Sequence, residues 1–278
     1  MSLLAALEKL WAEQNFVCIG LDTAYDHLPL SVRVLPSVEE AIFHFNRDIV
    51  DSTHDLVCSY KPNSGFYEAQ GEAGLRALRR TVQYIKNTYP HVPVILDAKR
   101  GDIGNTNVGY AHAVFDVIGA DAVTVHPYLG MDALEPFLER KDKGIFVLVK
   151  TSNPGAADLQ DLRVGTDQVP LYRVIARNVA STWNRNGNCG VVVGATYPET
   201  MRNVRSIIGD IPILIPGVGA QGGAVEDAVS AGKDSRGWGI IVNSSRDIIF
   251  ASSEKDFAKA AREATRSLRQ EINRARPN

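Results

Sequence analysis

Eight short apolar runs, each long enough for one buried strand, recur along the chain and alternate with segments of helical periodicity. The runs cover residues 16–22, 56–61, 93–99, 121–126, 144–151, 189–195, 212–219 and 237–243. Between them apolar residues recur at intervals of three and four, as in Ala41, Phe45 and Ile49. Strands rich in Val, Ile and Leu that alternate with helices are typical of a parallel sheet covered by helices. Eight such strands close into a (β/α)8 barrel.

We predict that residues 1–278 form a single α/β domain, a TIM barrel with an extra N-terminal helix. Barrels of this kind routinely reach this length as one unit. The first residues place Leu3, Leu7 and Leu10 at helical spacing, while charged residues interrupt the apolar run. This segment lacks the basic start and the cleavage site of a signal peptide, and we expect it to cover the bottom of the barrel.

The composition excludes several classes of protein. A net charge of −2, with 45% hydrophobic and 22% charged residues, gives no basic surface for nucleic acid and no acidic tail. No apolar run approaches the ~20 residues of a membrane span. Cys18, Cys58 and Cys189 are far apart and odd in number, so we expect buried free thiols in a reducing cytosol. We therefore expect a cytoplasmic protein that binds neither nucleic acid nor a membrane.

The most informative motif is the stretch 97–106, which reads Asp-Ala-Lys-Arg-Gly-Asp-Ile-Gly-Asn-Thr and follows a strand-like run. Because side chains alternate along a strand, Asp97 and Lys99 should point to the same side. Asp102 follows three residues later, where Gly101 and Gly104 let the chain turn. The pattern permits two interpretations, a structural ion pair at the mouth of the barrel or an ammonium held between carboxylates for catalysis.

Polar residues gather where the predicted strands end, which is where active sites of such barrels lie. These residues are Asp22, Lys61, Asp97, Lys99, Ser152, Asn153, Gly217, Gly219 and Arg246. Taken alone, Asp22 or Ser152 is better explained as a turn residue or a helix cap. Polar groups from six strands that meet at one mouth favour a functional site. The long polar segment 153–170 that follows the fifth run could be a lid or a surface excursion.

The loops after the seventh and eighth runs predict a phosphate site. Residues 217–223 read Gly-Val-Gly-Ala-Gln-Gly-Gly, and glycines there let backbone N–H groups and a helix N-terminus approach an anion. Arg246 adds a planar donor suited to phosphate. The stretch also matches GxGxxG, but the next strand ends in Asn243 and Ser244, without the acidic residue of a dinucleotide-binding fold. We therefore predict a phosphate monoester as ligand.

Together these motifs resemble the orotidine 5′-phosphate decarboxylase family, whose members catalyse the last step of UMP synthesis. The stretch 97–106 is similar to the active-site signature of the family. The other matching segments follow in the family's order and are residues 20–22, Lys61, residues 151–153, residues 216–223 and Arg246. The length of the chain and the sequence Tyr-Lys-Pro-Asn at residues 60–63 resemble the longer bacterial branch of the family, type 2.

The resemblance implies a catalytic role for three charged residues. Asp97, Lys99 and Asp102 would form a charged array at C6 of the pyrimidine, with Lys99 as the acid that protonates this carbon. Family members are homodimers in which the second Asp and the Thr of the motif reach into the neighbouring subunit's site. Asp102 and Thr106 would therefore act across the interface.

The resemblance also implies which residues bind the substrate, orotidine 5′-phosphate. Asp22 and Lys61 would hydrogen-bond the ribose hydroxyls, and Ser152 would contact the pyrimidine ring. Gln221 would bridge from the phosphate loop towards the ring. The phosphate itself would be held by Gly222, Gly223 and Arg246.

The chemistry of the reaction agrees with these residue types. Loss of CO2 from C6 leaves a carbanion whose lone pair lies in the ring plane, so stabilisation must come from a fixed cation such as Lys99. We expect no cofactor and no metal. One alternative is a metal-dependent keto-sugar-phosphate decarboxylase or aldolase of the same superfamily, which shares the Asp-x-Lys-x-x-Asp pattern. Another is a non-catalytic phosphate-ligand sensor, in which buried charge would be a cost without a function.

Overall fold

The computed structural model describes residues 2–218 and 225–276, and a barrel of eight parallel strands forms the centre of this part of the chain. The barrel strands are β1 (Val17–Gly20), β2 (Val57–Lys61), β3 (Ile95–Arg100), β4 (Ala122–Val125), β5 (Gly144–Lys150), β8 (Cys189–Val193), β9 (Ile213–Ile215) and β10 (Ile240–Ser244). Their order is β2-β1-β10-β9-β8-β5-β4-β3. Bridges from Tyr60 to Val94 and from Asn63 to Asp97 join the two end strands and close the barrel. The predicted (β/α)8 TIM barrel is confirmed.

Helices surround the strands. They are α1 (Leu3–Ala12), α2 (Leu30–Arg33), α3 (Val38–Thr53), α4 (Ser64–Glu68), α5 (Gly71–Thr88), α6 (Gly104–His112), α7 (Met131–Leu138), α8 (Ala157–Gln160), α9 (Leu171–Asn178), α10 (Pro198–Ile208), α11 (Val225–Gly232), α12 (Arg246–Ile249) and α13 (Phe257–Ala275). Single 3-10 turns occur at Tyr25–His27 and Pro154–Ala156, and π-helical turns at Ala113–Ile118 and Val179–Trp183. In these described ranges, no helix is both long and apolar enough to cross a membrane.

The helix α1 lies across the amino ends of the strands, as predicted. It begins at Ser2, whose hydroxyl accepts a hydrogen bond from the amide of Ala5. Leu7 is buried, and Leu3 packs so closely on Gly144 at the start of β5 that a Cβ at Gly144 would clash with it. Glycine at this position therefore allows the extra helix to cover the bottom of the barrel.

Apart from the less buried end of β3 at residues 98–100, the barrel strands are buried on both faces, which is why they read as almost continuous apolar runs. Cys18, Cys58 and Cys189 are free thiols within this core, as predicted. Burial raises the pKa of Cys18 and of Cys189 to about 12. Both thiols therefore stay protonated and behave as small apolar side chains.

One strand ends earlier than the sequence predicts, and the segment after β5 has secondary structure that the sequence did not predict. The strand β9 ends at Ile215, well before the end of the apolar run at 219, because Pro216 has no N–H to donate and Gly217 turns the chain at φ +88°. The segment that follows β5 carries α8 and a separate antiparallel hairpin of β6 (Arg163–Val164) and β7 (Val169–Pro170). This segment therefore has secondary structure of its own, which is compatible with both predicted interpretations, and we refer to it below as the folded excursion.

Candidate active site

An open cavity of about 420 Å³ lies at the carboxyl ends of the barrel strands. Residues in or directly after each of the eight barrel strands line it. Its apolar wall comes from Leu148, Val192 and Leu214, and the other lining groups are mostly amines, carboxylates, hydroxyls and amides. The cavity therefore lies where the sequence predicted the functional site.

A charged array crosses one side of this cavity. The carboxylate of Asp97 accepts a hydrogen bond from Nζ of Lys61 at 2.8 Å and another from Nζ of Lys99 at 2.7 Å. The hydroxyl of Thr124 donates to the same carboxylate at 2.8 Å. Lys61 is buried, whereas the side chain of Lys99 is 48% exposed. Both amines line the cavity, and Lys99 is the more exposed cation of the array.

Asp97 and Lys61 favour each other's charged forms. Burial raises the pKa of Asp97, but the ammonium groups of Lys61 and Lys99 outweigh this effect and hold that pKa well below its usual value. Burial lowers the pKa of Lys61, but the carboxylates of Asp97 and Asp22 outweigh it and the pKa lies above its usual value. The site therefore presents fixed charges that need no proton from a ligand.

The backbone at Lys99 departs from regular strand geometry. Its φ is +47°, and the pairing of β3 with β4 shifts register between Leu96 and Arg100. A non-glycine residue in the left-handed region costs about 1–3 kcal/mol. The amide of Lys99 donates to the hydroxyl of Thr124 at 3.0 Å, which ties the bulge to the next strand. Lys99 thus meets Asp97, as predicted, through a bulge that simple alternation does not describe.

Thr124 is a site residue that the sequence analysis missed. It is buried in β4, where it accepts from the backbone of Lys99 and donates to Asp97. The available signal was a single hydroxyl in the apolar run Ala122–Val125, aligned with the strand that carries the charged motif. A buried polar side chain needs a partner, and in this case the partners are the charged residues.

Asp22 follows β1 and lines the cavity with an unsatisfied acceptor. Its Oδ1 is buried and has no hydrogen-bond partner in the described residues. The neighbouring residues are fixed, because the hydroxyl of Thr23 donates to Asn46 at 2.6 Å and that of Tyr67 donates to the carbonyl of Leu21 at 2.9 Å. A buried acceptor without a partner is costly, so this oxygen is well suited to accept from a ligand hydroxyl.

Asp102 and Thr106 lie outside the cavity of their own chain. Oδ1 of Asp102 accepts from the amide of Ile103 at 2.7 Å, and the amide of Asp102 donates to Asn107 at 3.0 Å. Thr106 is exposed on α6. Within one chain the array therefore consists of Lys61, Asp97 and Lys99, without the second aspartate of the motif.

The remaining predicted residues are divided between the cavity and the undescribed part of the chain. Ser152 lines the cavity after β5 and packs on Gly194, where a Cβ would lie 2.8 Å from that of Ser152. Arg246 lines it as the first residue of α12 and is exposed. The predicted phosphate-loop residues Gln221, Gly222 and Gly223 lie outside the described residues.

The groups around the cavity can bind hydroxyls and anions and can hold a cation against developing negative charge. Among residues 2–218 and 225–276, no group of three or more His, Cys, Asp or Glu side chains is placed to hold a metal ion.

Comparison with known proteins identifies the family. A family model described as "Orotidine 5′-phosphate decarboxylase / HUMPS family" matches residues 15–263. The chain belongs to this family. It is 50% identical to the orotidine 5′-phosphate decarboxylase of Cellvibrio japonicus, over 99% of this chain and 100% of the relative. It is also 50% identical to the enzyme of that name from Thermomicrobium roseum, over 99% and 96% of the two chains.

A solved structure supports the same family at the level of the fold. The structure of Leishmania donovani OMP decarboxylase matches this chain with a TM-score of 0.84 and 35% identity, over 99% of both chains. The resemblance to the orotidine 5′-phosphate decarboxylase family that the stretch 97–106 predicted is confirmed.

Proposed function

We propose that this protein is an orotidine 5′-phosphate decarboxylase, a carboxy-lyase that converts orotidine 5′-phosphate to UMP and CO2 in pyrimidine synthesis. The observation that carries the proposal is the ammonium of Lys99, held 2.7 Å from Asp97 and open to the cavity. Relatives with this printed name match the chain over almost its whole length. The alternative keto-sugar-phosphate and sensor functions are not favoured.

The proposed reaction places negative charge at C6 where no electron sink can accept it, so a nearby cation has to stabilise this charge. Heterolysis of the bond between C6 and the carboxylate releases CO2 and leaves the electron pair in the plane of the ring. Lys99 stabilises this charge electrostatically because it is already fixed in place. It then donates a proton to C6 to form UMP and regains one from water. Asp97 orients Lys99 through the hydrogen bond that it accepts from Nζ.

The other lining groups suit the rest of the substrate. The unpaired Oδ1 of Asp22 would accept from a ribose hydroxyl, and Lys61 would donate to the ribose from its position on Asp97. Ser152 would contact the pyrimidine. Arg246 would hold the phosphate together with the backbone of Gly222 and Gly223, and Gln221 would reach from that loop towards the ring. Binding energy from the remote phosphate would serve to orient the ring at Lys99.

The proposal is tested by following the loss of orotidine 5′-phosphate absorbance with purified protein in EDTA. We expect rapid conversion to UMP, because the proposed chemistry uses Lys99 and no metal ion. Conversion that requires added magnesium, or turnover of keto-sugar phosphates in its place, would support the metal-dependent alternative. Binding of orotidine 5′-phosphate without any turnover by folded protein would support the sensor.

We also propose that the protein acts in the cytoplasm as a homodimer in which Asp102 and Thr106 complete the partner's site. Both residues belong to the motif 97–106 and yet lie outside the cavity of their own chain. Large apolar side chains are exposed nearby, at the start of α6, within it and in the segment before α7. They are Ile103, Val108, Tyr128 and Leu129. Exposed apolar side chains grouped in this way are typical of a surface that another subunit covers.

Mixed dimers test this arrangement. Lys99→Ala and Asp102→Asn chains, each inactive alone, should recover about a quarter of wild-type activity after full exchange, since half of the dimers are then hybrids with one intact site. As a matched control, mixing Lys99→Ala with Asp97→Ala should recover nothing, because both residues belong to the array of one chain. No recovery in the first mixture, with subunit exchange shown by differently tagged chains, would place Asp102 in its own chain's site.

A further inference from the structure

The folded excursion after β5 is fastened to the end of that strand by a double contact. Nζ of Lys150 donates to Oδ1 of Asp161 at 2.7 Å. The amide of Thr151 donates to Oε1 of Gln160 at 2.9 Å, and Nε2 of Gln160 donates back to the hydroxyl of Thr151 at 2.8 Å. Two consecutive residues at the end of β5 thus hold the last residue of α8 and the one after it. We call these four residues the β5 clamp.

The ion pair of the β5 clamp is buried on the lysine side only. The side chain of Lys150 is only 2% exposed, whereas that of Asp161 is 46% exposed. Besides Asp161, the ammonium lies 5.1 Å from the centre of the Tyr197 ring. A buried ammonium that loses its carboxylate carries a large desolvation penalty. This penalty opposes any movement of the excursion away from β5.

The β5 clamp does not belong to the charged array. Lys150 and Asp161 lie outside the lining of the cavity, and the proposed mechanism uses neither residue. A lysine at the end of a barrel strand, buried and paired with an excursion from the same strand, therefore needs another explanation.

The position of Ser152, the residue that follows Thr151, explains the buried ion pair. Ser152 comes directly after Thr151, and both residues line the cavity. The hydroxyl of Thr151 donates to the side chain of Asn153 at 2.6 Å, so the clamp also fixes the far side of this turn. Gly194 directly follows β8 and packs against Ser152. A larger residue at position 194 would clash with the Cβ and backbone of Ser152. The turn 151–153 is therefore held at Thr151 by Gln160, at Asn153 by the hydroxyl of Thr151, and on one side by Gly194.

We propose that Lys150 and Asp161 are positioning residues for the reaction, which act by holding Ser152 against the pyrimidine of orotidine 5′-phosphate. This inference rests on the proposed function and on the role proposed for Ser152. Displacing a positioned group by about 1 Å can cost as much as 100-fold in rate. Substitution of either Lys150 or Asp161 should therefore lower kcat/KM by roughly 10- to 100-fold.

Two clamp variants separate positioning from mere stability. Asp161→Ala leaves the ammonium of Lys150 buried without its carboxylate and should lower the melting temperature. Lys150→Met removes the charge and keeps most of the volume, so it should melt close to the wild type. Both variants should nevertheless show the same loss of kcat/KM, and Asp161→Glu should restore part of it. Asp158→Ala, at an exposed carboxylate of α8, is the matched control and should leave kcat/KM unchanged.

A double-mutant cycle with Ser152→Ala decides whether the clamp acts through Ser152. In the Ser152→Ala background, Asp161→Ala and Lys150→Met should cause little further loss, because the group that they position is gone. If the fold losses caused by Ser152→Ala and by a clamp variant multiplied in full, the inference would be overturned. Wild-type kcat/KM in the clamp variants would overturn it as well. Because wild-type turnover is measured in the same series, its absence would instead show failure of the proposed function.

Discussion

Lys99→Ala should lose at least about a thousandfold in kcat and still bind UMP. A unit charge ~4 Å from the developing carbanion is worth roughly 4 kcal/mol at an effective dielectric near 20. At about 1.4 kcal/mol per tenfold in rate, this interaction corresponds to about three orders of magnitude. The variant also loses the acid that protonates C6. UMP carries no charge at C6, so its binding through the ribose and phosphate groups should persist.

The measurement combines two readouts on the same protein. Orotidine 5′-phosphate absorbance gives kcat, and titration calorimetry with UMP gives the affinity of the product. Lys141→Ala removes an exposed lysine at the other end of the barrel and should keep wild-type values for both. Turnover of Lys99→Ala within tenfold of the wild type would show that another group supplies the cation and the proton.

The barrel could be predicted because its strands carry the same physical signal. Each strand is covered by helices on one face and by the barrel interior on the other, so it reads as an apolar run. The apolar runs alone do not show where each strand ends. At β9 the strand stops where Pro216 and Gly217 redirect the backbone, although the apolar character of the sequence continues to Val218.

The charged motif could be predicted because Asp97 and Lys99 are neighbours in sequence, and their contact is local. The rest of the array could not be derived in this way. Lys61 lies 36 residues before Asp97, and Thr124 lies 27 residues after it. Sequence spacing does not say which polar residues at the strand ends pair with each other. This is set by the register of neighbouring strands and by the bulge at Lys99.

The same argument applies to the segment 153–170, for which the sequence left a lid and a surface excursion open. What the structure adds is the partner of Lys150. Asp161 lies eleven residues further on and is one of several carboxylates in this region of the sequence. Burial of Lys150 makes this pairing necessary, and burial is known only once β5 has its place in the barrel.

Asp97→Asn should destabilise the protein by about 3–5 kcal/mol at neutral pH, because it leaves a buried ammonium without its main carboxylate. In the wild type the pKa of Lys61 is raised above its usual value and that of Asp97 is lowered. The stability from Asp97 is present above its unfolded pKa of ~3.9, and that from Lys61 is present below its unfolded pKa of ~10.4. Wild-type stability from this pair should therefore be flat from about pH 5 to 9.

The variant should behave differently as the pH rises. With the carboxylate gone, burial becomes the dominant influence on Lys61 and should bring its folded pKa below its unfolded value. Between these two values the unfolded chain binds more protons than the folded one, so the free energy of unfolding of Asp97→Asn should increase with pH, by at most ~1.4 kcal/mol per unit. The difference from the wild type should therefore shrink towards pH 9.5.

Urea unfolding at pH 6, 7.5 and 9.5 measures this difference for both proteins. Asp55→Asn is the matched control, since Asp55 also has a lowered pKa, through hydrogen bonds from Arg262, but lies at the surface. Its effect on unfolding should be small and constant over this range, because neither partner is a buried lysine. If the loss for Asp97→Asn were equally constant, Lys61 would remain fully charged without Asp97. Asp22 would then be the carboxylate that holds the buried ammonium, and the array would be centred on Asp22.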